Sequence, residues 1–541
     1  MRDTLETPRY IEQPLHEYLR QHAREQPGKP AYLWYGRAIT YAELDRASDA
    51  FAARLAELGV RKGEPVALFM NNCPQYVMAH YGIQKLGAIV CPCGPLFKEH
   101  ELQYQLDDLK ARVVVAADTL VPIVDQVRAR TAITHVFATG YAELLPTETP
   151  SIDIPAELLA LQREPRQVPA GCEDFLTVTR SGAISPEASI AMDDVALMTY
   201  TSGTTGLPKG AMLSYRNAVY KTAAAADCNG LRGSDMLLAI APLYHIAGMV
   251  MGVNVAVYTG ATCVLTYRFD PVATLQAIAR HRISSWYSIA PMNVACMQVP
   301  GARDYDLSSL LMNSVTSFGI TFTETLATQW REHAPNCRSF ESGYGLSETH
   351  TVDTYMPKDA IHWGTHGVPV PGNEIRILDP ETLAPMPVGE PGEIVLRSAG
   401  AFKGYWNNPE ATAKTLRGGW VHTGDMGRID AEGYLTFTGR FKEMIKVSGY
   451  AVFPEQVETI LIKHPAVAQA AVIGVPDSTK GEIIRAFIVR KAGQDVTAES
   501  LIAWARDNMS AYKAPREVRF IDALPATGAG KVLRRLLKDL P

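Results

Sequence analysis

The sequence predicts an α/β protein with two domains. A large N-terminal domain has parallel-rich sheets packed with helices plus a β-rich subdomain, and a small mobile α+β C-terminal domain follows. Three observations predict this. Short apolar runs alternate with amphipathic helical stretches through the first half, the pattern of strand–helix–strand units in parallel sheets. Turn-bounded segments with hairpin signals follow. A compact helix–strand–strand–helix–strand pattern then closes the chain. With 541 residues, the chain exceeds what one hydrophobic core usually serves.

The elements follow in order. Residues 65–70 read as a buried strand, 74–86 as a helix and 88–91 as the next strand, and 112–117 repeats the theme. Residues 236–267 contain no Asp, Glu, Lys or Arg, which is long enough to span a bilayer. Pro242, His245, Asn254 and the turn Tyr258-Thr259-Gly260 punctuate that stretch, so it reads as a buried strand–helix–strand core. Residues 379–397 and 434–437, with turns at Pro387-Val388-Gly389 and Ala431-Glu432-Gly433, read as antiparallel hairpins. A boundary falls near Gly439-Arg440, giving domains 1–439 and 440–541. Beyond it come a helix at 454–464, strands at 467–475 and 483–490, a helix at 498–509 and a strand at 517–521, a plausible small domain.

Apolar residues make up 47% and charged residues 20%, with a net charge of −5, so the chain is ordinary and globular. Basic clusters such as Arg534-Arg535 are short, and no nucleic-acid partner is expected. The eight cysteines show no zinc-site spacing, and Cys91-Pro92-Cys93 is too tight for a CxxC redox pair. Reduced, buried thiols fit a cytoplasmic protein. The first residues carry acids where a signal peptide needs an apolar run, and no transmembrane segment is expected.

Thr201-Ser202-Gly203-Thr204-Thr205-Gly206-Leu207-Pro208-Lys209-Gly210 follows the apolar run 195–200. A loop rich in glycine and hydroxyls after a strand offers N–H groups and hydroxyls to phosphate oxygens. It is not a Walker A loop, because Lys209 stands between Pro208 and Gly210. On these residues the segment resembles the phosphate-binding signature of the adenylate-forming (AMP-binding) superfamily, which includes acyl- and aryl-CoA synthetases. The resemblance implies a loop that orients the β- and γ-phosphates of ATP.

Other segments match in family order. Gly343-Tyr344-Gly345-Leu346-Ser347-Glu348-Thr349 resembles the family's Tyr-Gly-x-Thr-Glu motif. The resemblance implies that Tyr344 lies against adenine, Ser347 meets the α-phosphate and Glu348 binds Mg²⁺, a hard cation suited to carboxylate and phosphate oxygens. Ser347 replaces the commoner threonine and keeps the hydroxyl. Trp420-Val421-His422-Thr423-Gly424-Asp425 resembles the ribose motif and assigns Asp425 to the ribose hydroxyls. Gly439-Arg440-Phe441-Lys442-Glu443 resembles the hinge segment, with Arg440 near ribose and phosphate and Lys442 as the pivot. Lys446, Ser448 and Gly449 resemble the strip that lines the coenzyme A channel, with Lys446 serving the second half-reaction. Residues 524–531 resemble the arm that presents the adenylation lysine, here Lys531.

The resemblance implies an acid–thiol ligase with ATP, Mg²⁺ and coenzyme A as cofactor and co-substrates. A carboxylic acid attacks MgATP to give acyl-AMP and pyrophosphate, and the acyl group then passes to coenzyme A. Lys531 neutralises charge on the reacting phosphate in the first step. The C-terminal domain then turns about Lys442 and exchanges the Lys531 face for the Lys446 face. The candidate acid pocket is Tyr244, His245, Met249, Trp286, Tyr287, Phe318, Gly319 and Gly343, mostly apolar, with no carboxylate to hold an ammonium group. That favours a fatty or aryl acid over an amino acid, and a fatty acid of medium to long chain is the expectation. The alternatives are an aryl or other small acid, and an acyl-AMP ligase that loads a carrier protein. A luciferase-like oxygenase is a further rival. A fused carrier, as in peptide synthetases, is not expected ten residues past Lys531. A nucleotide-binding regulator would need neither Lys531 nor Ser448-Gly449. One segment departs from the family: Ser317-Phe318-Gly319-Ile320-Thr321-Phe322 stands where relatives read Gly-Gly-Ala-Pro. A homodimer is expected at family level only.

Overall fold

The computed structural model describes residues 8, 10–163, 165–201, 207–318, 321–447, 450–477, 481–527 and 531–540. Two seven-stranded sheets form the bulk of the molecule. The first runs Glu173–Asp174, His135–Thr139, Val113–Ala117, Pro65–Phe69, Ile89–Cys93, Val195–Tyr200 and Gly210–Ser214. Its strands are parallel except for the last pair, Val195–Tyr200 with Gly210–Ser214. The second runs Arg338–Glu341, Met312–Thr316, Ser285–Ile289, Met236–Ala239, Thr262–Leu265, Pro30–Trp34 and Arg37–Thr40, again parallel but for its final hairpin. Fully buried parallel strands read as continuous apolar runs, and Val113-Val114-Val115-Ala116-Ala117 is one.

Helices fill the space around the sheets. All twelve residues of Pro74–Lys85 are buried, so this helix shows no polar face to solvent. Its one cation, Lys85, ends between Asp45 at 2.6 Å and Asp49 at 2.8 Å, as a buried charge must. The helix stops before Gly87, whose φ of +75° ends the turn. The uncharged stretch 236–267 is the expected strand–helix–strand: Met236–Ala239, the turns Ile246–Met249, Val250–Asn254 and Val255–Thr259, and Thr262–Leu265. Among the described residues no helix is long and apolar enough to cross a membrane.

A five-stranded antiparallel sheet follows, built from Glu374–Leu378, Gly392–Arg397, Leu416–Arg417, Trp420–Ile429 and Leu435–Arg440. Arg440 still pairs with Asp425 across this sheet. The single turn Phe441–Glu443 separates it from the last sheet. That sheet holds Ile445–Val447, Tyr450–Val452, Val467–Asp477, Gly481–Arg490 and Glu517–Phe520, covered by Pro454–Leu461 and Ala498–Asn508 around a core of its own. All eight cysteines are free thiols.

Candidate functional site

A cleft of about 1400 Å³ opens where the large sheets, the antiparallel sheet and the C-terminal segment meet. Its floor is the loop 343–354, which leaves the end of strand Arg338–Glu341. Gly343 has a φ of +143°, and a Cβ there would lie 2.3 Å from the Thr354 carbonyl, so only glycine fits. The Tyr344 N–H donates to Thr354 Oγ1 at 2.8 Å, and the Asp353 N–H donates to the Tyr344 carbonyl at 2.9 Å. His350, Thr351 and Val352 all adopt left-handed backbone, a costly run that the surroundings must hold. The brace is an ion pair. Lys221, on helix Tyr215–Asn229, donates to Asp353 Oδ1 at 2.6 Å and to the Val352 carbonyl at 2.8 Å. Both side chains are fully buried. Burial raises the Asp353 pKa and lowers that of Lys221, and each partner opposes the shift of the other.

This loop points Tyr344 at the antiparallel sheet. Its hydroxyl donates to Asp425 Oδ2 at 2.7 Å, and its ring stacks on Phe437 at 6.0 Å. Arg440, the cross-strand neighbour of Asp425, brings Nε to 3.3 Å from Asp425 Oδ1. Burial pushes the Asp425 carboxyl up, and Arg440 pulls it back. Glu348 is half-buried and accepts the Tyr405 hydroxyl at 2.6 Å. The Lys209 ammonium sits 4.1 Å above the Tyr405 ring, a cation–π contact. Burial lowers the Lys209 pKa, Glu348 raises it and Lys442 lowers it, so these three charges share one region. Residues 201 and 209 hold the neck of their loop together, the Thr201 N–H donating to the Lys209 carbonyl at 3.0 Å. Ser202, Gly203, Thr204, Thr205 and Gly206 lie outside the described residues.

Lys531 enters this cleft from a tight hairpin. The Thr527 N–H donates to the Lys531 carbonyl at 2.8 Å, and the Lys531 N–H donates to Thr527 Oγ1 at 3.1 Å. Burial, helped by Arg440, pushes the Lys531 ammonium down to about 8, while Glu443 and Asp425 oppose. His245 caps the turn Ile246–Met249 and is pushed down to about 4 by burial and by Lys531. Lys446 lies elsewhere. It is exposed on strand Ile445–Val447, and its N–H donates to Glu482 at 2.7 Å. Ser448 and Gly449 lie outside the described residues.

Comparisons with known proteins identify the family. The family model "AMP-binding enzyme" matches residues 19–406, and "AMP-binding enzyme C-terminal domain" matches 456–531. The chain belongs to the AMP-binding enzyme family. It is 33% identical to a long-chain-fatty-acid–CoA ligase of Bacillus subtilis, over 97% of this chain and 94% of that one. It is 34% identical to a feruloyl-CoA synthase of an Amycolatopsis species, over 95% and 96%. A solved anthranilate CoA ligase in complex with anthranoyl-AMP superposes with a TM-score of 0.84 at 29% identity, covering 97% of both chains. The expected fold class and superfamily hold, and the protein is an adenylate-forming acyl- or aryl-CoA ligase.

The acid-pocket expectations need correction in this AMP-binding enzyme. His245, Tyr287, Phe318 and Gly343 line the cleft. Trp286 does not: it is fully buried and packs on Trp330 at 5.9 Å. Successive strand residues face opposite sides, so when Tyr287 meets the cleft Trp286 faces the core. Met249 is likewise fully buried in the core, and Tyr244 packs against that core outside the cleft lining. Gly319 lies outside the described residues. The pocket also holds the carboxylate that sequence reading missed. Glu341 ends strand Arg338–Glu341, is 6% exposed, and accepts the Ser317 N–H at 3.2 Å and the Ser317 hydroxyl. Burial pushes it up to about 7. Its signal was its place at a strand end two residues before Gly343. The Lys221–Asp353 brace carried no such local signal.

Proposed function

We propose that the protein activates a fatty acid of medium to long chain with MgATP, releasing pyrophosphate, and transfers the acyl group from AMP to coenzyme A. The observation that carries the reading is the seat of Lys531: an ammonium from the chain's last hairpin lies in the same cleft as Asp425, Arg440, Tyr344 and Glu348. Tyr344 offers a ring to adenine, Asp425 two acceptor oxygens to ribose, and Ser347 a hydroxyl to the α-phosphate. Lys209 and residues 201–206 take the β- and γ-phosphates. Glu348, a half-buried carboxylate whose charge reaches Lys209, would hold Mg²⁺, a hard cation suited to carboxylate and phosphate oxygens. Bound there, the metal would supply positive charge to the phosphate oxygens. Lys531 stabilises charge on the α-phosphate as the carboxylate oxygen attacks.

In the second step residues 440–541 turn about Lys442 as the C-terminal domain, against the N-terminal domain of residues 1–439. Lys446, exposed here while Lys531 is seated, then comes to the thiol channel with Ser448 and Gly449. Ile246, Ala247, Met251 and Phe318 form the apolar wall that supports a fatty acyl chain, in keeping with the long-chain ligase relative. The second reading is an aryl acid bearing a hydroxyl. The polar wall of Glu341 and Tyr287, whose hydroxyl lies 3.1 Å from Thr316 Oγ1, favours it. Free thiols fit a cytoplasmic protein, and a homodimer is part of the proposal.

Pyrophosphate release is measured with dodecanoate, hexadecanoate and 4-hydroxycinnamate, with and without coenzyme A. Thioester product from a fatty acid supports the reading, and release with acyl-AMP left unconverted points to carrier loading. Turnover of the aryl acid alone refutes the fatty-acid assignment. Lys531→Ala cripples adenylate formation and spares thioester formation from supplied acyl-AMP. Equal loss in both half-reactions overturns the two-face mechanism.

A further inference from the structure

Arg534 stands three residues beyond Lys531, where the hairpin ends. Its guanidinium meets Glu458 Oε2 at 2.8 Å, Glu455 Oε1 at 3.0 Å and the carboxylate of Glu443. The side chains of Arg534, Glu443 and Glu458 are 16%, 14% and 14% exposed, so the cluster is largely out of water. Glu458 Oε1 also accepts the Val472 N–H at 2.7 Å, which fixes the carboxylate to strand Val467–Asp477. These partners come from separate places. Glu455 and Glu458 lie on helix Pro454–Leu461, whereas Glu443 is the residue after Lys442 in the turn Phe441–Glu443. All of them, with Lys531, line the same cleft.

The hairpin that carries Lys531 has little freedom at its base. The Leu533 N–H donates to the Pro525 carbonyl at 2.8 Å, and Leu537 is buried against Ala471, Ile473 and Phe487. Only a planar fork can face the helix and the turn together, a task for arginine and not for lysine. Desolvating one guanidinium among three carboxylates is costly. Apolar residues would hold a hairpin base more cheaply, so the charge must serve geometry. We infer that Arg534 is a positioning residue whose clamp on Glu443 and Glu458 couples the Lys531 arm to the turn at Lys442, so that arm and turn move as one body. The inference rests on the reading of Lys531 as the adenylation lysine.

The test compares Arg534→Lys and Glu443→Gln with wild type and Lys531→Ala. Two rates are measured separately with the acid among dodecanoate, hexadecanoate and 4-hydroxycinnamate that wild type turns over: pyrophosphate exchange, and thioester formation from supplied acyl-AMP. A catalytic group displaced by about 1 Å loses about a hundredfold. Arg534→Lys should therefore lower pyrophosphate exchange by about thirtyfold or more. Thioester formation should change less than about threefold, because it does not use Lys531. Glu443→Gln keeps the shape and should show the same split at about one-third the size or less. A purely structural role would depress both rates together. If Lys531→Ala shows the split and Arg534→Lys lowers both rates equally, or leaves exchange near wild type, the inference is overturned. If Lys531→Ala itself lowers both equally, the fault lies in the proposed function instead.

Discussion

Lys221→Met removes the cation of the buried brace and leaves a chain of similar bulk. Asp353 then keeps Thr349 as a hydroxyl donor but loses its charge partner at 2.6 Å in a site with no exposure. Breaking a fully buried pair from one side costs about 3–5 kcal/mol, because the remaining charge is neither solvated nor paired. At about 3 kcal/mol per molar urea, the unfolding midpoint falls by about 1–1.7 M. Tryptophan fluorescence reads this directly, since Trp34, Trp286 and Trp330 are all buried in the same body. The pair also holds the left-handed run 350–352, which returns the chain beneath Tyr344. A second readout is therefore the KM for ATP, expected to rise by about tenfold, or about 1.4 kcal/mol. Lys221→Met/Asp353→Leu removes both charges and should recover at least half of the lost midpoint, since an apolar pair can replace a buried ion pair at little cost. A single variant within about 0.3 M of wild type, or a double variant that falls by the sum of the two singles, refutes the brace.

Three further outcomes follow from the cleft. Lys531 titrates near 8 in the free enzyme, so its ammonium is present below that pH and lost above it. The kcat/KM for pyrophosphate exchange should fall about tenfold per unit above pH 8, and a flat profile to about pH 9.5 would count against the lysine. Tyr344→Phe removes a buried donor to Asp425. A hydrogen bond to a charged group is worth about 1.5–3 kcal/mol, so the KM for ATP should rise at least about tenfold with kcat little changed, and an unchanged KM refutes the role of that contact. Gly343→Ala forces a Cβ to within 2.3 Å of the Thr354 carbonyl at a φ of +143°. Exchange activity should drop more than about a hundredfold while the urea midpoint moves modestly, and a fully active variant refutes the constraint.

What sequence could show here depended on how far apart the interacting groups lie. Strand 65–69 and helix 74–85 were legible because an apolar run and a proline at the helix start are local signals. Tyr344, Asp425, Arg440 and Lys531 were legible as candidates because each sits in a short motif. Their convergence was not, since Tyr344 and Asp425 are 81 residues apart yet share a hydrogen bond. Lys221 and Asp353, 132 residues apart, belong to no motif at all. Ser285-Trp286-Tyr287-Ser288-Ile289 shows a different limit. An aromatic occupies each face of that strand, so composition cannot say which one meets the cleft, and only the register with Met312–Thr316 decides. The same register explains Glu341. It is the strand partner of Val315, so its carboxylate reaches Ser317 just past the neighbouring strand's end, in the lining of the cleft. On the proposed function, this buried carboxylate is the cleft group best suited to tell an aryl hydroxyl from a methylene chain.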